Sequence, residues 1–145
     1  QSLSIIEYLN ETRGLDLLPK DHAKRAQVTA LAYAIAIDIH PICNLSVSSY
    51  AEEISGEKNY KQKWMKKFIG PGLEAFEKLL EDFPKGSFSV GDTPSLPDLC
   101  LIPQIYNAMR WKIDIAHLSR INSIIGSCNK HPAFINAHPD FFKPS

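Results

Sequence analysis

The sequence predicts an all-α fold, a bundle of helices with no sheet of its own. Two observations support this prediction. Apolar residues recur at helical spacing along most of the 145-residue chain, and several of these segments follow a residue that caps helix starts. A chain of this length can bury one sizeable core without disulfides or metals, so we expect a single helical domain.

The first helix is predicted over residues 1–13, where Leu3, Ile6 and Leu9 form one apolar stripe between polar residues. Gly14 is a typical stop signal after such a helix. Residues 14–20 then form a linker that contains apolar residues.

A second, long helix is predicted from its cap Asp21 to about Tyr50. Its core face carries Val28, Leu31, Ile35, Ile39 and Ile42, and its many alanines allow a neighbouring helix to approach closely. Pro41 should bend this helix, because proline removes one backbone hydrogen bond.

The residues around this bend are polar. His40 and Asn44 are four positions apart and so should be neighbours on one helical face, with Ser46 just beyond. They form either a satisfied polar patch at a kink or one wall of a site.

A third segment, from Tyr60 to Phe83, has a helical pattern with charged residues on its outer face. Its predicted buried residues are Met65, Ile69, Gly72, Phe76, Leu79 and Phe83. The glycines on either side of Pro71 leave two possibilities open, one bent helix or two shorter ones.

The segment Gly91 to Arg110, GDTPSLPDLCLIPQIYNAMR, has the strongest local signals. Ser95 is a good N-cap, and Asp98 lies three residues later, as in a capping box. The apolar residues Leu99, Ile102, Pro103, Tyr106 and Met109 then recur at helical spacing, joined by Cys100 and Ile105. This pattern predicts a central, buried helix that bends at Pro103.

Two short helices complete the prediction. The first contains Leu118 and Ile121 and ends at Gly126, and the second begins at His131-Pro132 with proline in its first position. His117, His131 and His138 have no metal-ligand spacing, and we interpret them as caps and surface residues.

The composition limits the classes of partner. The chain has 16 Lys+Arg and 16 Asp+Glu, so it has no charge excess for nucleic acid or an anionic membrane. A small molecule or another protein is the expected partner. Cys43, Cys100 and Cys128 form no C-x-x-C pair, which argues against a disulfide framework or a zinc site and fits a reducing, cytoplasmic location.

Three stretches carry a family resemblance. The string GDTPSLPDLCLIPQIYNAMRWKID, with QSLSIIEYLNETR and IHPICNLSV, resembles the C-terminal helical domain of glutathione transferases, and in particular the zeta class. The resemblance runs from the first residue to about Phe134. It implies an all-α glutathione transferase C-terminal domain over residues 21–145, and it implies that residues 1–13 are the last helix of a thioredoxin-like domain.

The resemblance also implies a glutathione site. Gln1 and Ser2 match the pair that holds the glutamyl end of glutathione, a use that fits the positive end of a helix dipole. Without the resemblance, these two residues read as the cap of a surface helix. Asn44, Leu45 and Ser46 match an N-L-S sequence beside bound glutathione, whereas His40 stands where the family usually has glutamine.

Arg110 matches the arginine that orients the carboxylate of the substrate in this family, and guanidinium suits a carboxylate geometrically. Alternatively, Arg110 only stabilises the helix end. The implied reaction is the glutathione-dependent isomerisation of maleylacetoacetate to fumarylacetoacetate, in tyrosine and phenylalanine catabolism. The chain itself contains no enzyme motif, so the thiol-activating serine and cysteine stretch would precede Gln1. The family also implies a homodimer.

Two alternatives remain at this stage. Another glutathione-dependent enzyme of the same fold, acting on α-halo acids or maleylpyruvate, would share the fold and the cofactor and differ in its acidic substrate. A non-catalytic module is the other alternative, since helical domains of this kind also serve as assembly platforms.

Overall fold

The computed structural model describes residues 1–142, and these residues form seven α-helices and no β-strand. The helices are α1 (Ser2–Arg13), α2 (His22–Ala36), α3 (Leu45–Ser55), α4 (Tyr60–Leu79), α5 (Leu96–Arg110), α6 (Ser119–Cys128) and α7 (Pro132–Asn136). Short 3-10 segments follow at Leu80–Asp82 and Pro139–Phe142. The predicted all-α fold is confirmed.

Several predicted helix ends are confirmed. Asp21 caps α2 by accepting a hydrogen bond from the backbone N–H of Lys24 at 2.9 Å. Gly14 ends α1 in the left-handed conformation, with a φ of 62°. His131 caps α7 through its ring nitrogen, and Pro132 occupies the first turn of that helix.

The prediction of one helix from Asp21 to Tyr50 is wrong. The helix ends at Ala36, residues 37–43 form consecutive turns, and α3 begins after Asn44. Pro41 lies inside the turns, where its missing N–H removes no helical hydrogen bond. The indole Nε1 of Trp64 donates a 2.9 Å hydrogen bond to the carbonyl of Ile42 and so fastens the turn to α4.

The segment after Tyr60 is one helix of 20 residues with Pro71 inside it. Its buried residues are Met65, Ile69, Leu73 and Phe76, followed by Leu80 in the 3-10 segment. The prediction that Leu79 is buried is therefore wrong, since 42% of it is exposed. Gly72 lies so close to the turn after α2 that a Cβ there would come within 2.6 Å of Ile39.

The helix α5 lies at the centre of the molecule and packs against α2, α4 and α6. Ser95 and Asp98 form the predicted capping box. The Asp98 carboxylate is fully buried and accepts four hydrogen bonds, from the backbone N–H and hydroxyl of Ser95 and of Ser89, at 2.6 to 2.8 Å. The helix start is thus also tied to the loop before it.

The predicted buried stripe of α5 is wrong in its orientation. The residues that enter the core are Leu101, Ile105 and Ala108, whereas Met109 is 67% exposed. Leu99, Ile102 and Tyr106 are only partly buried, and Pro103 is exposed. Both faces of α5 are apolar, so apolar spacing alone could not identify the core face.

The helix α6 runs to Cys128, so the prediction that it ends at Gly126 is wrong. No residue of its own caps its start. Instead, the Glu77 carboxylate of α4 accepts hydrogen bonds from the backbone N–H groups of Arg120 and Ile121, at 2.7 and 2.8 Å. A side chain of another helix therefore performs the capping role.

Candidate active site

One open cleft lies between the start of α1, the turn after α2 and the C-terminal half of α5, and its volume is about 510 Å³. Its lining residues are Ser2, Ile6, Ile35, Ala36, His40, Cys43, Asn44, Leu45, Leu99, Cys100, Pro103, Gln104, Tyr106, Asn107, Arg110 and Trp111. Most of the predicted site residues therefore share one cleft. The exceptions are Gln1 and Ser46, which are sequence neighbours of lining residues.

The first wall is the N-terminus of α1. Gln1 is the N-cap and makes no side-chain capping hydrogen bond, and Ser2, the first helical residue, lines the cleft. The first backbone N–H groups of a helix lack intrahelical partners, and the helix dipole adds positive potential there. This end of the cleft is suited to a carboxylate.

The second wall is the turn between α2 and α3. His40 and Asn44 both line the cleft, but they are not neighbours on a helical face as predicted, because the helix has already ended. Asn44 is the N-cap of α3, and its side-chain oxygen accepts hydrogen bonds from the backbone N–H and the hydroxyl of Ser46, both at 3.3 Å. Ser46 thus contacts Asn44, which lines the cleft, without lining the cleft itself.

The third wall is the face of α5 that the sequence assigned to the core. Cys100, Pro103 and Asn107 lie on this face, and Arg110 follows at the end of the helix. The apolar stripe is therefore partly the wall of the cleft, and the position of Arg110 beside it is as expected from their spacing.

Arg110 is exposed to the cleft. Within residues 1–142, its guanidinium forms no hydrogen bond and no ion pair with a side chain, whereas Arg25 pairs with Glu7 and Glu11 and Arg120 binds backbone carbonyls. A cation without an anionic partner at a cleft is free to bind an anion that enters it.

Two thiols also line the cleft, Cys43 and Cys100. Burial raises the pKa of Cys43 to about 11. Burial, with a smaller contribution from the charge of Asp98, raises the pKa of Cys100 to about 11 as well. Both thiols are therefore protonated at neutral pH and are poor nucleophiles.

Gln104, Tyr106 and Trp111 line the cleft and were not predicted from the sequence as site residues. Gln104 is only 3% exposed although it lines the cleft. A glutamine within the apolar run LCLIPQIY was the available signal, because a buried amide needs partners. The Tyr106 hydroxyl donates a 2.7 Å hydrogen bond to Asp140, which holds the C-terminal 3-10 segment beside α5.

Other site types find no support in the part of the chain that the structure describes. No group of three or more histidine, cysteine or acidic residues there could hold a metal ion. None of the helices formed by residues 1–142 has the length and apolar character needed to cross a membrane. The cleft therefore remains the candidate active site.

Comparison with known proteins identifies the family. No family model matches the chain. However, the chain is 49% identical over 146 residues to a maleylacetoacetate isomerase from Rhizobium meliloti (strain 1021), covering 99% of this chain and 68% of that protein. It is 37% identical over 142 residues to a maleylpyruvate isomerase from Ralstonia sp, covering 96% of this chain and 67% of that protein.

A solved structure agrees with these relatives. The maleylacetoacetate isomerase from Anaeromyxobacter dehalogenans 2CP-1, which holds dicarboxyethyl glutathione and citrate in its active site, matches with a TM-score of 0.90 and 35% identity. The match covers 97% of this chain and 63% of that one, so the chain spans about two thirds of the length of these proteins. The chain belongs to the zeta-class glutathione transferase family that includes the maleylacetoacetate isomerases.

Proposed function

We propose that the chain is the helical part of a glutathione-dependent cis–trans isomerase that converts maleylacetoacetate to fumarylacetoacetate. The observation that carries this proposal is the cleft, which brings Ser2, Asn44 and Arg110 together from three distant parts of the sequence. The cleft has a helix N-terminus at one wall and an unpaired guanidinium at another. A ligand with two separate acidic ends fits this arrangement.

In this proposal, glutathione lies along the first two walls. Ser2 and the free N–H groups at the start of α1 hold a glutathione carboxylate, and Gln1 adds a side-chain donor. His40, Asn44, Leu45 and Ser46 border the bound tripeptide from the turn and the start of α3. Bound glutathione supplies the thiol that adds reversibly to the substrate double bond, which allows rotation before elimination.

The two thiols of the cleft do not act as that nucleophile in this proposal, because burial raises the pKa of Cys43 and of Cys100 to about 11 and so keeps both protonated at neutral pH. Their role in the proposal is to keep water out of the cleft together with Pro103. Arg110 binds the carboxylate of the substrate and so fixes the double bond relative to the thiol. The guanidinium acts as an orienting group and transfers no proton.

Residues 1–13 are proposed to be the last helix of a thioredoxin-like domain, residues 14–20 the linker, and residues 21–145 the helical domain. Exposed apolar side chains on α1 support this division, since Ile5 is 57% and Tyr8 is 66% exposed. We extend the proposal to a homodimer, as in the family, for which the exposed Tyr50 and Ile54 of α3 offer apolar surface. The three free cysteines fit a cytoplasmic location.

Maleylpyruvate is the second candidate substrate, because one relative is a maleylpyruvate isomerase. This substrate also has a carboxylate and a cis double bond, so the same wall would bind it. Steady-state kinetics of the intact protein with both substrates separates the two, the preferred substrate having the larger kcat/KM.

The substitutions Arg110→Lys and Arg110→Ala test the proposal. We expect kcat/KM to fall in the order Arg, Lys, Ala, because lysine keeps the charge and loses the two-pronged geometry. The Ala variant should lose about 10- to 100-fold, the range for a lost hydrogen bond to a charged group. Glutathione affinity, measured by calorimetry, should remain near the wild-type value.

The neighbouring Lys112→Ala is the matched control, since Lys112 follows the same helix end without lining the cleft. A fully active Ala variant of Arg110 with a lowered melting temperature would contradict the proposal. In that case Arg110 would only stabilise the end of α5.

A further inference from the structure

Gln104 is an exception among the buried polar residues. Ser48, Ser89, Ser95 and Asp98 are buried too, and each side chain has a hydrogen-bond partner. Within residues 1–142, the side-chain Nε2 of Gln104 is the one fully buried side-chain nitrogen or oxygen that has none. A buried donor without a partner destabilises a fold, so its presence suggests that the donor binds a ligand.

The position of Gln104 suggests that use. The side chain lies in the wall of the cleft, fewer than two helical turns before Arg110 on the same helix. The two ends of the amide have nearly the same shape, and rotation about the last side-chain bond exchanges donor and acceptor. Gln104 can therefore present a donor to a molecule in the cleft with little movement of α5.

We propose that Gln104 is a substrate-binding residue. Its amide donates a hydrogen bond to a carbonyl or carboxylate oxygen of the substrate, and this oxygen lies on the other side of the double bond from the carboxylate that Arg110 binds. This inference rests on the proposed function. The expected ligand is thus a cis-alkene with a carboxylate at one end and a carbonyl or second carboxylate at the other. Arg110 binds one end of this ligand and Gln104 binds the other end, so the substrate can bind in the cleft in only one orientation.

A neutral amide suits this second position. When a thiolate adds to a conjugated double bond, its electron pair moves the π electrons toward the carbonyl oxygen, and elimination returns them. Once the amide has turned its N–H group toward that oxygen on substrate binding, the donor stabilises the charge as it develops in the partly buried cleft. Gln104 should therefore affect kcat as well as substrate binding.

The test uses Gln104→Met in the intact protein, with Gln27→Met as the matched control on the exposed face of α2. The probes are glutathione and dicarboxyethyl glutathione, and the readouts are calorimetric dissociation constants and melting temperatures. We expect Q104M to weaken binding of the dicarboxyethyl adduct by about 10-fold, the loss of one good hydrogen bond. Glutathione affinity should stay within about 2-fold, since the thiol side of the site is unchanged.

The same variant that binds the adduct more weakly should lose no thermal stability. Q104M should melt at or above the wild-type temperature without ligand, because methionine removes an unpaired buried amide. A structural role, or a partner that is only ordered water, would leave the adduct affinity unchanged and overturn the inference. Failure of the wild-type protein to bind glutathione at all would overturn the proposed function and this inference together.

A measurement on the wild-type protein covers the case in which Q104M does not fold. The NMR signals of the Gln104 side-chain amide, identified by sequential resonance assignment, should shift when the dicarboxyethyl adduct is added. Glutathione alone should leave them in place. Equal shifts with both ligands, or none with either, would contradict the assignment.

Discussion

The buried carboxylate of Asp98 holds both the start of α5 and the loop before it. The sequence predicted a capping box formed by Ser95 and Asp98. The structure adds Ser89 as a third member, so the carboxylate joins the helix start to the preceding loop through four hydrogen bonds. This loop contact could not be predicted, since nothing in the sequence marks Ser89 as the partner of a residue nine positions away.

The two members of the cap should therefore differ in their effect on stability. We expect Ser95→Ala to lower the free energy of unfolding by about 1 kcal/mol, the usual effect of losing an N-cap. Asp98→Ala should cost at least about 3 kcal/mol, because it leaves several buried donors without an acceptor. Urea unfolding of both variants measures this, with exposed Asp92→Ala as a control. Equal losses would mean that the Ser89 contacts contribute nothing.

The structure places Arg110 and Asn44, two of the predicted site residues, in the lining of the cleft, and their roles stay predictions. Arg110 was singled out because a cation at the end of an apolar helix is unusual, and Asn44 because of the family resemblance. Gln104 was missed although a glutamine within an apolar run was a signal, and only the fold shows that its Nε2 lacks a partner.

At the scale of elements, the packing of α4 against the turn after α2 depends on a glycine. Gly72 faces Ile39, which is 1% exposed and directly precedes the cleft residue His40. The sequence predicted Gly72 on the buried side; the residue is half-buried and faces Ile39, a contact that could not be inferred from the sequence. Close approach here positions the turn that forms the second wall.

The pair Gly70 and Gly72 offers a matched test. Gly72→Ala should destabilise the protein by about 1 to 3 kcal/mol through overpacking against Ile39. Gly70→Ala should stabilise it by about 0.5 to 1 kcal/mol, since alanine favours a helix and the nearest atom to its Cβ is 3.9 Å away. Thermal unfolding gives both values. A neutral Gly72→Ala would show that Ile39 moves aside freely.

Two elements were predicted with errors that have a common cause. The break after Ala36 and the orientation of α5 both occur where apolar residues continue around the helix. Periodicity then carries little information, and tertiary contacts decide the outcome. The turn fastened by Trp64 depends on a hydrogen bond between residues 22 positions apart, which no local pattern encodes.

At the scale of the whole molecule, the cysteines link stability to pH. Burial is the main cause that raises the pKa of Cys43 and Cys100 to about 11 and that of Cys128 to about 12, from an ordinary value of 9.0. At a pH between the ordinary thiol pKa of 9.0 and the raised pKa values of the folded protein, the unfolded chain loses thiol protons that the folded chain keeps. The free energy of unfolding should therefore fall as the pH rises above about 9.

Urea unfolding at pH 8 and pH 10 measures this loss. The double variant Cys100→Ala, Cys128→Ala should show a smaller fall between the two pH values than the wild type. An identical fall in both proteins would assign the alkaline loss of stability to other groups.

Much of the architecture was predictable because α1, α2, α5 and α7 begin or end with a signal in their own sequence, whereas α4 and α6 begin without a side-chain cap of their own. The start of α6 has a wider consequence. Since Glu77 supplies the cap for Arg120 and Ile121, 43 and 44 residues away, the start of α6 is capped only after α4 has docked. A segment containing α6 alone would therefore lack the carboxylate that accepts these two N–H groups, so the beginning of this helix depends on a contact with a distant part of the chain.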